Sequence, residues 1–236
     1  MKITERFLTK GSQHGRTGQS LTPKGICVHY VGNPGSTAEN NRRWFENGAG
    51  GAGTSAHYII GLEGEILLLI PENERAMHAG KSYGKAWDET AKTNNAYYIG
   101  IECCHPSASG EFNALTYQSL IWLCGEICKR YGFDPEKQVV RHYDITGKSC
   151  PLFYRNNETA WVTLKNDIKN ETSANTVRVC LDGETCFPEA ENIGGSWFVG
   201  VNGLDGVRLK LGDVLNLAGY RVSWDAGTAT VMGVKK

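Results

Sequence analysis

The sequence predicts an α/β fold, a mixed central sheet covered by helices, followed by a small α+β C-terminal domain. Three observations carry this expectation. Short runs of β-branched and aromatic residues alternate with segments of helical period over residues 1–168. The polar stretch KNETSANT (169–176) lacks large apolar side chains and reads as a linker. Beyond it, residues 177–236 carry a second pattern of short strands, close to the lower size limit of a self-standing core.

Residues 25–31, GICVHYV, form an apolar run bounded by Gly25 and Gly32, the mark of a buried strand. Ser36 followed by Glu39 predicts a capping box opening a helix that ends near Glu46. GAGGAGT (48–54) lacks the Lys-Ser/Thr ending of a phosphate loop and reads as a mobile loop. SAHYIIG and EILLLIP flank Leu62-Glu63-Gly64 and predict a hairpin. AYYIGIECC (96–104) is a further strand. Leu120, Leu123, Cys124, Ile127, Cys128 and Tyr131 fall at helical spacing over 115–131, with Gly132 where a left-handed cap belongs. VVRHYDI (139–145) reads as a strand running into a loop, and TAWVTLKNDI (159–168) as a closing helix. In the tail, VRVCLDGETCF predicts a hairpin with Asp-Gly at its turn. In that register Val179 faces Cys186, Cys180 points away, and no Cys180–Cys186 disulfide is expected. Val207, Leu211, Val214, Leu215 and Ala218 suggest a short helix ended by Gly219, before a closing hairpin of YRVSW and TATVMGV.

Apolar residues at 40% and charged residues at 21% are globular values. Lys plus Arg equals Asp plus Glu at 25 each, so no net field draws the chain to nucleic acid or an acidic membrane. The opening MKITERFLTKGSQHG has no long apolar run, and nothing approaches the roughly 20 apolar residues a membrane helix needs. The expectation is cytoplasmic synthesis without a signal peptide and no membrane insertion. Eight cysteines occur without a CxxC pair. Except for Cys150 they read as thiols filling apolar space.

In RHYDITGKSCP (141–151), His142 and Cys150 stand eight apart around a Gly-containing loop. An imidazole and a thiolate suit zinc, and such a loop can bring both to one ion. His29, interrupting an apolar strand, is the best candidate for a third ligand. The ordinary reading of each histidine alone is a hydrogen-bonded structural residue, and that of Glu102 alone is a surface carboxylate.

KGICVHYVG, SAHYIIGLEGEI, AMHAG, NNAYYIGIE and RHYDITGKSCP occur in that order. Together they resemble the N-acetylmuramoyl-L-alanine amidases of the type-2 amidase and peptidoglycan-recognition-protein superfamily, in particular the endolysins of phages and prophages, over about residues 1–168. The resemblance implies Zn2+ held by His29, His142 and Cys150 with a fourth position open. It further implies Glu102 as general base, Lys148 as stabiliser of the oxyanion and His78 as a substrate-binding residue. A tyrosine of some relatives would fall at Ala56, and His57 is expected to be structural. The implied substrate is bacterial peptidoglycan, cut between N-acetylmuramic acid and L-alanine, with action on the wall after release from the cytoplasm. A peptidoglycan-binding protein without catalysis, and a cytosolic amidase recycling muropeptides, are the alternatives. A zinc peptidase finds no HExxH motif.

RVCLDGETC, WFVGV and AGYRVSWDAGTATV resemble the small repeat of copper amine oxidase N-termini and bacterial surface proteins. The tail has no histidine to hold copper. Its position after a lytic domain suggests wall targeting, with dimerisation or stabilisation as the rival reading. The expected domains are 1–168 catalytic, 169–176 linker and 177–236 wall-targeting. A homo-oligomer through the tail is a further expectation.

Overall fold

The computed structural model describes residues 1–80, 94–173, 177–181, 184–193, 196–200, 208–210, 220–225 and 230–235, with side chains at 1–80 and 95–172. Two compact units result, Met1–Thr172 and Ser173–Lys236.

The first unit runs β1 (Ile3–Glu5), β2 (Gly25–Tyr30), α1 (Ala38–Glu46), β3 (Tyr58–Ile60), β4 (Ile66–Leu68), β5 (Tyr98–Cys103), α2 (Ala114–Tyr131), α3 (Pro135–Gln138), β6 (Val139–Arg141), α4 (His142–Thr146), α5 (Leu152–Asn156) and α6 (Glu158–Ser173). The strands form one sheet in the order β1-β4-β3-β5-β2-β6. Among the described strands of this sheet only the predicted β3–β4 hairpin pairs antiparallel, so the sheet is mixed.

Side chains alternate across a sheet with a period of two, and this sorts the strands' residues onto two faces. Ile26 and Val28 of β2, Ile99, Ile101 and Cys103 of β5, and Val139 of β6 enter the main core. There they meet Leu120, Leu123, Cys124 and Ile127 of α2 and Trp161, Leu164 and Ile168 of α6. Cys27 and Val140 turn to the opposite face, where Ala79 and Ile145 cover them. The buried cysteines of the main core are free thiols serving as small apolar groups.

Helix α2 is built as its sequence dictates. The Asn113 side chain accepts from the Thr116 N–H at 2.9 Å, and Gly132 closes the helix at φ 68°. Helix α1 departs from expectation at its start. Thr37, not Ser36, is the cap, accepting from the Asn40 N–H at 3.2 Å, while Glu39 binds Arg42 and Arg43. Helix α6 continues through Ser173, into the segment expected to be a linker. No Gly or Pro stands between Glu158 and Ser173 to stop it, and Thr172 returns its hydroxyl to the Ile168 carbonyl at 2.7 Å.

The second unit contains β7 (Val177–Leu181), β8 (Glu184–Ile193), β9 (Ser196–Gly200), β10 (Arg208–Lys210), β11 (Tyr220–Asp225) and β12 (Thr230–Lys235). They pair in the order β10-β9-β8-β7-β12-β11. Both predicted hairpins form, β7 with β8 and β11 with β12. Their register differs in one respect. Leu181 faces Glu184 and Cys180 faces Thr185, but a bulge then sets Val179 against Phe187 instead of Cys186. Part of the predicted Val207–Ala218 helix is strand, since Arg208–Lys210 pairs with β9. The remainder of that helix and the side chains of Cys180 and Cys186 lie outside the described residues. Among the described residues no helix is long and apolar enough to cross a membrane.

Candidate metal centre and active site

The face shared by Cys27 and Val140 also carries the polar residues that interrupt the strands. His29 follows Cys27 by two on β2, and Glu102 follows Gly100 by two on β5. The parallel β2–β5 register sets His29 beside Glu102 and Cys27 beside Gly100. Strand β6 lies on the other side of β2, and His142 follows its last residue. The residues therefore gather at the carboxyl ends of three adjacent parallel strands, where open α/β sheets form their crevices.

The segment after β6 was expected to be a loop; it is helix α4. Asp144 accepts from the Arg141 backbone N–H at 2.8 Å and from the Arg141 guanidinium, capping this short helix. Arg141 also donates to the Tyr154 carbonyl at 2.9 Å and to Glu158 at 2.7 Å, tying α4 to α5 and α6. Gly147 ends α4 at φ 82°, and the chain returns until the Tyr143 N–H meets the Cys150 carbonyl at 2.8 Å. One helical turn, a left-handed glycine and this return bring Cys150 back to His142.

The ligand atoms of His29, His142 and Cys150 lie within 4.8 Å of one another, and all three residues are buried. Cys150 Sγ stands 3.7 Å from His29 Nδ1. Two such atoms on a tetrahedral zinc would be about 3.6 Å apart, from bonds of roughly 2.3 and 2.05 Å. His142 Nδ1 is buried without a hydrogen-bond partner among the described residues, a cost that a cation removes. Two imidazoles and one thiol are a donor set suited to zinc, so the residues fit a bound metal.

Burial dominates the site's electrostatics. It lowers the pKa of His29, helped by His142, His78 and Lys148, and brings His142 to about 4, helped by Lys148 and His78. Both rings are thus neutral, the form that binds metal. Burial and Glu102 push the Cys150 thiol up to about 12, opposed by a backbone hydrogen bond from Tyr30 and by Lys148. A divalent cation reverses that balance and favours the thiolate. Burial likewise lifts Glu102 to about 8 against the pull of Lys148, and its Oε2 has no partner among the described residues. Lys148 is exposed on the loop between α4 and Cys150.

His78, expected to contact substrate, is engaged inside the protein at both ring nitrogens. Its Nδ1 lies 2.9 Å from His29 Nε2, and its Nε2 lies 3.0 Å from the Tyr98 carbonyl. His57 is likewise satisfied, accepting from the Gly100 N–H at Nδ1 and facing the Glu74 carbonyl with Nε2, each at 2.9 Å. Ala56, where some relatives carry tyrosine, is fully buried.

Asn95 escaped the sequence reading. Its Oδ1 accepts from the His78 and Ala79 N–H groups at 3.0 and 2.8 Å, fixing the AMHAG segment over the sheet. Gly100 was also missed, although an isolated glycine within an apolar strand signals close approach. A Cβ there would stand 2.5 Å from His78 Cγ.

The fold and the site define an α/β domain with a buried His-His-Cys centre at its strand ends and a carboxylate beside it. Residues 19–152 match the family model described as N-acetylmuramoyl-L-alanine amidase. The chain belongs to that family. It is 36% identical over 175 residues to the N-acetylmuramoyl-L-alanine amidase BlyA of Bacillus subtilis (strain 168), covering 70% of this chain and 47% of BlyA. It is 34% identical over 183 residues to the N-acetylmuramoyl-L-alanine amidase CwlL of Bacillus licheniformis, covering 75% of this chain and 49% of CwlL. The chain thus spans about half the length of the curated relatives it matches. Among solved structures, a mutant endolysin from Bacillus subtilis and the catalytic domain of XlyA each share 28% identity at a TM-score of 0.58. Both alignments cover 71% of this chain, with 98% of the endolysin and 99% of the XlyA domain.

Proposed function

We propose that this chain hydrolyses the amide between N-acetylmuramic acid and L-alanine in bacterial peptidoglycan, with Zn2+ held by His29, His142 and Cys150. The observation that carries the reading is the convergence of those three side chains next to the Glu102 carboxylate, with a buried nitrogen of one and a buried oxygen of the other unpartnered among the described residues. When bound, zinc supplies Lewis acidity for the scissile carbonyl and lowers the pKa of water. Glu102 accepts the proton of the attacking water and delivers it to the departing alanine nitrogen. Its raised pKa lies close to that task, and a nearby cation draws it towards the ionised form. Lys148 offers an ammonium to the negative charge that develops on the carbonyl oxygen. The second unit holds the enzyme on its polymer, which raises the local concentration of cleavable bonds.

The test is digestion of purified peptidoglycan followed by mass analysis. Intact glycan strands and free stems beginning with L-alanine are expected, and Cys150→Ser abolishes their release while binding persists. New reducing ends would assign the chain to glycan cleavage instead. Sedimentation with the wall and no released fragment would leave a binding protein.

A further inference from the structure

We propose that His78 is a positioning residue of the metal centre, a relay through which the Tyr98 carbonyl fixes the tautomer and aim of His29. This rests on the zinc reading above. A carbonyl oxygen only accepts, so the 3.0 Å contact between His78 Nε2 and Tyr98 O requires the proton on Nε2. The neutral ring then has a lone pair at Nδ1. The 2.9 Å contact with His29 consequently runs from His29 Nε2–H to His78 Nδ1. With its proton on Nε2, His29 has its own lone pair on Nδ1, the atom 3.7 Å from Cys150 Sγ. One backbone acceptor thereby sets the protonation pattern of two rings, and the outer hydrogen bond strengthens His29 as a donor.

The relay is held on three sides. The His29 and His78 rings meet edge to face, with centroids 5.0 Å apart and planes 87° from each other. Asn95 anchors the backbone of His78 and Ala79. Gly100 supplies the flat floor, since a Cβ there would be 2.5, 2.7 and 2.8 Å from Cγ, Cδ2 and Nδ1 of the His78 ring.

Cys27, His29 and His78 also cluster closely enough to suggest a second cation site. The nitrogen separation decides against it. Two imidazoles on a tetrahedral zinc keep their ligating atoms about 3.3 Å apart. The observed 2.9 Å is a hydrogen bond, and it occupies both of the atoms such a site would need.

Two measurements test the relay. The first is zinc affinity by chelator competition for the wild type, C150S, H78L and H78N, each checked for folding by circular dichroism. Asparagine keeps an acceptor oxygen near the Nδ1 position and leucine does not. The wild type binds one zinc and C150S does not. H78L loses affinity by about ten- to a hundredfold, and H78N recovers most of it. A wild type that binds no zinc overturns the metal reading and the relay with it. A wild type that binds while H78L and H78N match it overturns the relay alone. The second measurement needs no variant to fold: two-bond 15N–1H spectra of the wild-type histidines. Protons on Nε2 of both His29 and His78 are expected, and an Nδ1–H form of either ring overturns the relay.

Discussion

Gly100→Ala tests the packing beneath His78 directly. In an ordinary strand this exchange stabilises, because alanine surrenders less conformational freedom than glycine, by about 0.5–1 kcal/mol. Gly100 needs no left-handed backbone, so nothing in its own conformation opposes the change. The His78 ring opposes it. The new methyl would stand 2.5 Å from Cγ, roughly an ångström inside ordinary contact. Cγ is the root of the ring, and both nitrogens beyond it are hydrogen-bonded. The ring cannot retreat without stretching a bond to His29 or to Tyr98. Overpacking costs about 1–3 kcal/mol, and a buried polar group losing its partner about 1–3 kcal/mol more. The net expectation is a loss of about 2–4 kcal/mol for the metal-free protein in urea or guanidinium unfolding.

The origin of that loss is separable by a double-mutant cycle. In a His78→Ala background the obstructing ring is gone, and Gly100→Ala should be neutral or slightly stabilising. The coupling between the two sites should then match that loss, about 2–4 kcal/mol. If Gly100→Ala costs the same with and without the His78 ring, the clash is not with that ring and the reasoning fails.

Four further outcomes follow from the same geometry. Glu102→Gln should lower the hydrolysis rate by about 10²–10⁴-fold while zinc stays bound. Because the folded-state pKa of Glu102 is raised from 4.5 to about 8, the unfolded chain ionises first and metal-free stability falls as pH rises through that window. Glu102→Gln should therefore stabilise the metal-free protein more at pH 8 than at pH 4, read from unfolding curves at both. Chelation should abolish hydrolysis and lower the melting temperature; zinc at about a thousandfold over its Kd should return roughly 4 kcal/mol. Gly132→Ala should cost about 1 kcal/mol in denaturant unfolding, all of it backbone strain, since φ is +68° and a Cβ there meets nothing within 4 Å.

Much of the site was legible because polar residues broke apolar strands. His29 stands out within GICVHYV, and Glu102 becomes its neighbour once both strands are parallel and in register. The hydrogen-bond partners of His78 were not legible, because they are a backbone carbonyl and a ring forty-nine positions away. Helix α4 was hidden for a local reason. Asp144 caps it by accepting from Arg141, the last residue of a strand, so the helix signal overlaps the strand signal. Strand β10 was obscured by the opposite cause. Val207 and Leu211 on either side of it fall at helical spacing, but pairing with β9 decides. The bulge in β8 depends on the ladder too, and one of its two irregular stretches contains Pro188, which has no N–H to donate.

His29, His57, His78 and His142 differ in what their neighbours leave free, and on the proposed zinc reading this is how the fold separates ligand from support. His57 gives one nitrogen to the Gly100 N–H and the other to the Glu74 carbonyl, so no lone pair remains. His78 is saturated in the same way by Tyr98 and His29. Of these four rings, only His29 and His142 keep a nitrogen without a conventional partner among the described residues, and the free nitrogen of His29 is the one 3.7 Å from Cys150 Sγ. Burial drives all four rings to the neutral form, so charge does not distinguish them. The distinction comes from backbone carbonyls and N–H groups, whose donor or acceptor character cannot change with pH. Which of these rings keeps a free nitrogen is therefore determined by the strands and by the AMHAG segment that Asn95 pins over them.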